Sequence, residues 1–109
     1  MSAGAQLAFG VEMARRGLWQ EALFRFEQAR RLESSARVLN NVAVAYEALG
    51  RFEEALATYR EALAIAPGQA DLKRNYSQFL EFYQGYQSAP GEATPAEAPE
   101  PGGEPEEGR

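Results

Sequence analysis

Apolar residues recur at every third or fourth position in two clear segments of the chain, with charged residues between them. In the longer segment the apolar positions are Phe52, Ala55, Leu56, Tyr59, Ala62 and Leu63. In the other segment they are Trp19, Ala22, Leu23, Phe26 and Ala29. Such spacing places the apolar residues on one face of an α-helix. The pattern predicts amphipathic helices that bury one face each, so we expect an all-α fold.

The breaks between helical segments fall at residues that end or begin helices. Gly17 and Gly50 each stand two residues before one of these segments. Glycine readily adopts the left-handed conformation that closes a helix, so each glycine can end the helix before it. Ser35 is a residue type that caps helix N-termini, and Pro67 cannot continue the helix before it. These breaks predict about five antiparallel helices between residues 3 and 86.

The sequence repeats itself at a spacing of 33 residues. Seven positions are identical when residues 3–35 are aligned with residues 36–68. The identical pairs are Ala3/Ala36, Val11/Val44, Gly17/Gly50, Glu21/Glu54, Ala22/Ala55, Leu23/Leu56 and Ala29/Ala62. Two aromatic pairs also align, Trp19 with Phe52 and Phe26 with Tyr59. A period of this length is typical of repeat proteins, in which each unit is one helix pair.

The two units resemble the tetratricopeptide repeat, whose pattern combines Trp, Leu-Gly, Tyr, Ala, Phe and Pro at fixed positions. The second unit matches through Leu39, Val42-Ala43, Tyr46, Gly50, Phe52, Ala55, Tyr59, Ala62 and Pro67. The first unit matches through Phe9-Gly10, Gly17, Trp19, Ala22, Phe26 and Ala29, and departs from the pattern at Gln6, Met13 and Ser34. The alternative is an unrelated helical bundle with similar patterning.

The resemblance implies a short right-handed α-α superhelix, a solenoid of stacked helix pairs. Repeat one would span residues 3–35, repeat two residues 36–68, and a capping helix residues 69–86. The capping helix carries an apolar stripe at Leu72, Tyr76, Phe79, Leu80, Tyr83 and Tyr86. We expect most of these aromatic residues to be core beneath the cap. Phe82 and Tyr86 are the candidates for an exposed contact with a partner, because exposed aromatic residues anchor interfaces.

The resemblance also implies a role in protein–protein interaction, through a concave groove that binds an extended peptide or a partner helix. The resemblance implies groove positions in all three units. They are Leu7, Val11 and Arg15 or nearby in repeat one, Arg37, Asn40, Asn41, Val44 and Glu47 in repeat two, and Arg74, Asn75 and Gln78 in the last helix. Asn41 matches an asparagine that holds a ligand's backbone amide in peptide-binding members, and its alternative role is structural or solvated. The family's clamp for a C-terminal carboxylate is excluded. Its first-repeat positions are the apolar Leu7 and Val11, and its basic pair is replaced by Asp71 and Asn75.

We therefore expect a non-catalytic interaction module. The alternative is a small structural subunit that self-associates or stabilises a larger assembly, since two repeats are fewer than such a core usually needs. An enzyme is a third class, and the residues argue against it: the chain has no His and no Cys, which are common catalytic groups and metal ligands. Acidic residues pair with arginines at i,i+4 spacing, as in Glu21 with Arg25, and such pairs decorate solvated helix faces. No catalytic residue, metal or cofactor is predicted.

Composition and charge change together near residue 88. Residues 88–109 contain no Val, Ile, Leu, Phe, Trp or Tyr and are rich in Pro, Glu, Ala and Gly, so we predict a disordered acidic tail. The net charge of −5 belongs to this tail, because residues 1–87 carry ten Lys/Arg and ten Asp/Glu. A neutral body with an acidic tail argues against nucleic-acid binding, which needs clustered cations.

Localisation is only weakly indicated. No stretch is long and apolar enough for a membrane span, and the first residues lack the pattern of a signal peptide. The default expectation is the cytoplasm. The alternative is an exported domain whose signal was removed.

Overall fold

A computed structural model gives the fold of residues 1–88. The helices are α1 (Ala3–Arg15), α2 (Trp19–Leu32), α3 (Ala36–Ala48), α4 (Phe52–Ile65) and α5 (Ala70–Ser88). No β-strand occurs within residues 1–88, and the predicted all-α class is confirmed. The tail predicted to be disordered, residues 88–109, lies outside the described residues apart from Ser88.

The same turn joins the two helices of each repeat. Gly17 and Gly50 both adopt φ 79°, the left-handed conformation predicted for them. The amide of Leu18 donates to the carbonyl of Met13 at 2.9 Å, and its counterpart Arg51 donates to the carbonyl of Tyr46 at 2.8 Å. These bonds occupy helix-end carbonyls that would otherwise lack a partner. The turn reverses the chain, so the two helices of each repeat pack against one another.

The first helix of each repeat begins at a serine cap. The Oγ of Ser35 accepts from the amide of Val38 at 3.2 Å, and the Oγ of Ser2 accepts from the amide of Ala5 at 3.0 Å. Each cap satisfies one of the free amides at a helix start. Because the two serines are 33 residues apart, the repeat extends one residue further toward the N-terminus than the aligned segment.

Consecutive helices pack on one another as in a tetratricopeptide repeat solenoid, and the core consists of two clusters that meet at α3. The first cluster contains Leu7, Val11, Ala14, Ala22, Leu23, Phe26, Ala29, Val38, Val42 and Ala45. The second contains Ala36, Leu39, Ala43, Val44, Ala55, Tyr59, Ala62, Leu72, Phe79 and Tyr83. One side of α3 therefore packs on repeat one, and another side packs on α4 and α5.

Helix α5 closes the second repeat with aromatic side chains. The rings of Phe79 and Tyr83 stack at 5.3 Å between centroids, and Phe79 lies 5.5 Å from the ring of Tyr59. Tyr59 is fully buried beneath them. Phe79 and Tyr83 are therefore core, as expected, whereas Tyr76, Phe82 and Tyr86 are half-buried and pack against the edge of the core.

Candidate partner-binding site

Asn40 is an internal residue of the described fold and not an open groove residue, and its contact with a partner stays a prediction. Its side chain is 3% exposed, and its Oδ1 accepts a hydrogen bond from Nδ2 of Asn75 in α5 at 3.2 Å. Buried amides need such partners, because an unpaired one loses its hydrogen bonds to water. The polar pair therefore joins α3 to α5.

The neighbouring Asn41 is also buried. Its Nδ2 donates to the main-chain carbonyl of Arg37, one turn earlier in α3, at 3.2 Å. Val44 is also a predicted groove residue of α3. It is fully buried in the second core cluster. Contact of Asn41 with a partner stays a prediction.

A second buried polar pair lies further along α3. Glu47 is 5% exposed, and its Oε1 accepts a hydrogen bond from the hydroxyl of Tyr59 at 2.9 Å. Burial raises the pKa of Glu47 to about 7, and the hydrogen bond from Tyr59 opposes that rise. Burial and the adjacent Glu47 together raise the pKa of Tyr59. This pair is part of the packed interior.

The predicted basic and amide residues do not share one cavity. Arg37 is half-buried and lines a cavity at the start of α3. Arg74 and Gln78 are exposed on α5 and do not line it. The guanidinium of Arg74 instead pairs with Oδ1 of Asp71 at 3.0 Å.

The cavity beside Arg37 has a volume of about 430 Å³ and lies where α1, α3 and α5 begin. It is lined by Ala3, Gly4, Leu7, Glu33, Ser35, Arg37, Val38 and Gln69. Leu7 and Val38 are buried apolar residues, whereas Glu33 is exposed. The Oε1 of Gln69 is buried without a hydrogen-bond partner, and no other side-chain polar atom in residues 1–88 is in that state. The site thus combines an apolar floor with charged and amide groups.

Glu33, Val38 and Gln69 line this cavity but were not predicted from the sequence. The 33-residue repeat could have predicted that these three residues lie close together. First helices begin at Ala3 and Ala36, and a third begins after Pro67. Starts of equivalent helices lie side by side in a stacked solenoid, so residues in the links before them are neighbours.

Phe82 and Tyr86, the aromatic residues proposed for an exposed contact, are half-buried. Both pack edge-on against Phe52 of α4, at centroid distances of 5.0 and 5.1 Å. Tyr86 also borders a cavity of about 300 Å³ at the start of α4. The ion pair of Arg51 with Glu54, at 2.7 Å, lies at the same cavity. These aromatic residues mainly hold α5 on α4.

Two further features bear on function. Within residues 1–88, no group of three or more acidic side chains is arranged to hold a metal ion. None of the helices described above has the length and hydropathy needed to cross a membrane.

A family model for the tetratricopeptide repeat matches residues 36–69. The matched segment comprises α3, the turn at Gly50, α4 and the link to α5. This match assigns residues 36–69 to the tetratricopeptide repeat family. Comparison with curated proteins and with solved structures gives no match. Members of this family are in general protein–protein interaction modules, and the five packed helices of this repeat protein fit that architecture.

Proposed function

We propose that this repeat protein is a non-catalytic interaction module that binds an extended peptide segment of a protein partner. The proposed site is the cavity of about 430 Å³ at the starts of α1 and α3. That cavity carries the proposal, because it is a concave site with an apolar floor and a few polar groups, as binding sites usually are. The two helices that form it are the first helices of their repeats.

The lining residues match the chemistry of an extended peptide. Such a peptide presents alternating backbone donors and acceptors and alternating side chains. Arg37 supplies donors and Gln69 an acceptor that lacks a partner within the described residues. Leu7 and Val38 supply apolar surface for one side chain of the peptide. A backbone segment would satisfy Gln69 after a rotation of its side chain.

The charges of the described residues favour a protein partner over a nucleic acid. Several arginines have acidic partners, as in the pairs Arg16–Glu12, Arg30–Glu61 and Arg51–Glu54. Nucleic-acid binding needs clustered cations that neutralise phosphates. Residues 1–88 offer no such excess of positive charge.

The absence of catalysis is supported by the position of Glu47, whose pKa is strongly raised. Perturbed carboxyl groups often mark active sites when they lie in clefts. Glu47 lines none of the cavities described above, and its partner is the buried hydroxyl of Tyr59. This location supports a structural role for the pair.

The test uses peptides selected from a phage-displayed random library against the full chain. Fluorescence anisotropy then measures the dissociation constants of the selected peptides. Arg37→Glu should weaken binding by about tenfold or more, equivalent to about 1.4 kcal/mol. The matched control is Arg60→Glu, an exposed residue of α4 that does not line the cavity. If no peptide is selected, or if both variants bind equally well, the proposed site is wrong.

A second candidate function is the self-associating structural subunit. The observation that favours it is the exposure of two phenylalanine side chains on repeat one, Phe9 and Phe24. The aromatic residues of α5 give it less support, because they pack on Phe52.

A further inference from the structure

One face of α3 packs against repeat one. The 33-residue repeat identifies the equivalent face of α1. The α3 residues in the repeat-one core are Val38, Val42 and Ala45. Their counterparts 33 residues earlier are Ala5, Phe9 and Glu12. Val42 is fully buried, whereas Phe9 is 38% exposed. Within residues 1–88, the other helices leave the Phe9 side chain on this face exposed.

The uncovered face also carries a second aromatic residue and a cation. We call Phe9, Phe24 and Arg25 the front face. Phe24 is 53% exposed. The guanidinium carbon of Arg25 lies 4.0 Å from the centre of the Phe9 ring and 5.4 Å from that of the Phe24 ring. The front face therefore presents two rings joined by a cation, and protein interfaces are enriched in aromatic residues and arginine.

The face of α1 that carries Phe9 also carries a charged residue. Glu12 stands where repeat two has the buried Ala45. Phe9 and Phe24 stay apolar and exposed, so solvation alone does not explain them.

The front face and the neighbouring Glu21 together carry charges of both signs, which can pair between two copies of the chain. Arg25 forms no ion pair within residues 1–88 and donates instead to Oε1 of Gln6 in α1 at 3.3 Å. The predicted i,i+4 pair of Arg25 with Glu21 is therefore not formed, because α1 holds the guanidinium. Glu21 is exposed one turn away. Each molecule thus offers an arginine and a glutamate that are not paired with each other.

The opposite end of the solenoid is closed. Helix α5 covers Ala55, Tyr59 and Ala62, which are fully buried. A head-to-tail stack of molecules would have to displace α5 to reach these residues. Contact between two identical faces about a two-fold axis needs no displacement and makes a closed dimer. The front face therefore fits a second copy of this chain better than an open stack.

We propose that two copies of this chain associate through their front faces about a two-fold axis. Phe9 and Phe24 lie at the centre of the contact, and Arg25 of each copy faces Glu21 of the other. The face spans α1 and α2, helices of about 20 Å in length. An interface of this size is at the small end of specific contacts, so the dissociation constant is on the order of 100 µM. The dimer goes beyond the proposed peptide binding, because the front face does not include the cavity at Arg37.

The first test is sedimentation equilibrium of the full chain from about 5 µM to about 500 µM, a range that brackets this constant. Salt at about 0.15 M screens repulsion between the acidic chains. The mass should rise with concentration from 12.0 kDa toward twice that value. Phe9→Gln combined with Phe24→Gln should stay monomeric. The matched control, Ile65→Gln, removes an equally exposed apolar side chain from α4 and should dimerise normally.

The second test exchanges charges across the contact. Arg25→Glu alone and Glu21→Arg alone should each stay monomeric, and an equimolar mixture of the two should form heterodimers. Circular dichroism of every variant verifies the helical fold. A wild-type mass that stays at 12.0 kDa overturns the proposal. So does a double phenylalanine variant that dimerises like the wild type, or a mixture that stays monomeric.

Discussion

Asn75 in α5 donates its Nδ2 to Oδ1 of Asn40 in α3 at 3.2 Å, and both side chains are buried. The two residues are far apart in sequence, and their hydrogen bond fixes how α5 sits on α3. Buried polar pairs of this kind add little net stability when intact, but breaking one is costly.

Asn75→Leu should therefore lower the free energy of unfolding by about 1–3 kcal/mol, because it leaves the amide of Asn40 buried and unpaired. Replacing both residues with leucine should recover most of the loss, since no unpaired amide then remains. Urea denaturation monitored by circular dichroism measures both variants. A double variant that is less stable than the single one would contradict this account.

The buried carboxyl group of Glu47 predicts that stability falls as pH rises. Its pKa is raised from 4.5 to about 7 in the folded protein, so folding favours the protonated form. The contribution is fully present below about pH 4.5 and is lost as pH rises through about 7. A pKa shift of this size changes the free energy of unfolding by about 3 kcal/mol at most. Glu47→Gln keeps an acceptor for Tyr59 and should gain stability over wild type at pH 8 but not at pH 4.

The control for Glu47 is Glu81→Gln, an exposed residue of α5. Its stability difference from wild type should be the same at pH 4 and pH 8. Chemical denaturation at the two pH values gives both differences. If Glu47→Gln shows no more pH dependence than Glu81→Gln, the carboxyl of Glu47 is not protonated by folding.

Gly10 lies so close to the ring of Phe26 that a Cβ would collide with it. Gly10→Ala should thus destabilise the protein by about 1–3 kcal/mol, because the ring is fully buried and has no room to move. Gly85→Ala is the matched control. A Cβ at Gly85 would meet nothing within 4 Å, so alanine there should stabilise α5 by about 0.5–1 kcal/mol. Thermal melts should move in opposite directions for the two variants.

Phe52 holds α5 in place through its ring contacts. Its ring centroid lies 5.0 Å from that of Phe82, 5.1 Å from that of Tyr86 and 6.4 Å from that of Phe79. Phe52→Ala should lower the free energy of unfolding by about 3 kcal/mol. Hydrogen exchange should become faster in α5 than in α1, because the cap opens more often. Phe24→Ala removes an exposed ring and should leave exchange in α5 unchanged.

Much of the fold could be predicted from local pattern. The glycines at 17 and 50 mark the turns because the left-handed conformation has a strong residue preference. The apolar spacing shows which side of each helix is buried, and the aromatic stripe of α5 identifies its inner face. These features depend on residues a few positions apart, so a single sequence reveals them.

The candidate site was less predictable, because its features depend on pairs of helices. Nothing near Asn40 in the sequence indicates that Asn75 will be its partner, and a polar residue with a partner on another helix resembles a solvated one. The i,i+4 spacing of Glu21 and Arg25 likewise predicts a pair that Gln6 of α1 prevents. The repeat alone aligns Phe9 with Val42. Only the structure shows that Val42 is buried, and hence that Phe9 is exposed at an equivalent position.

Helix α3 contacts each of the other four helices, and this has a consequence for how the chain folds. Its strongest contacts are with α2 and α4, its neighbours in sequence, so the loops that must close are short. Short loops lose little chain entropy on closing, and proteins built from such contacts fold quickly. We infer that the folding nucleus forms around α3 and that α5, which has the weakest contacts with its neighbours, joins it last. Substitutions in α3 would then slow folding, whereas those in α5 would mainly speed unfolding.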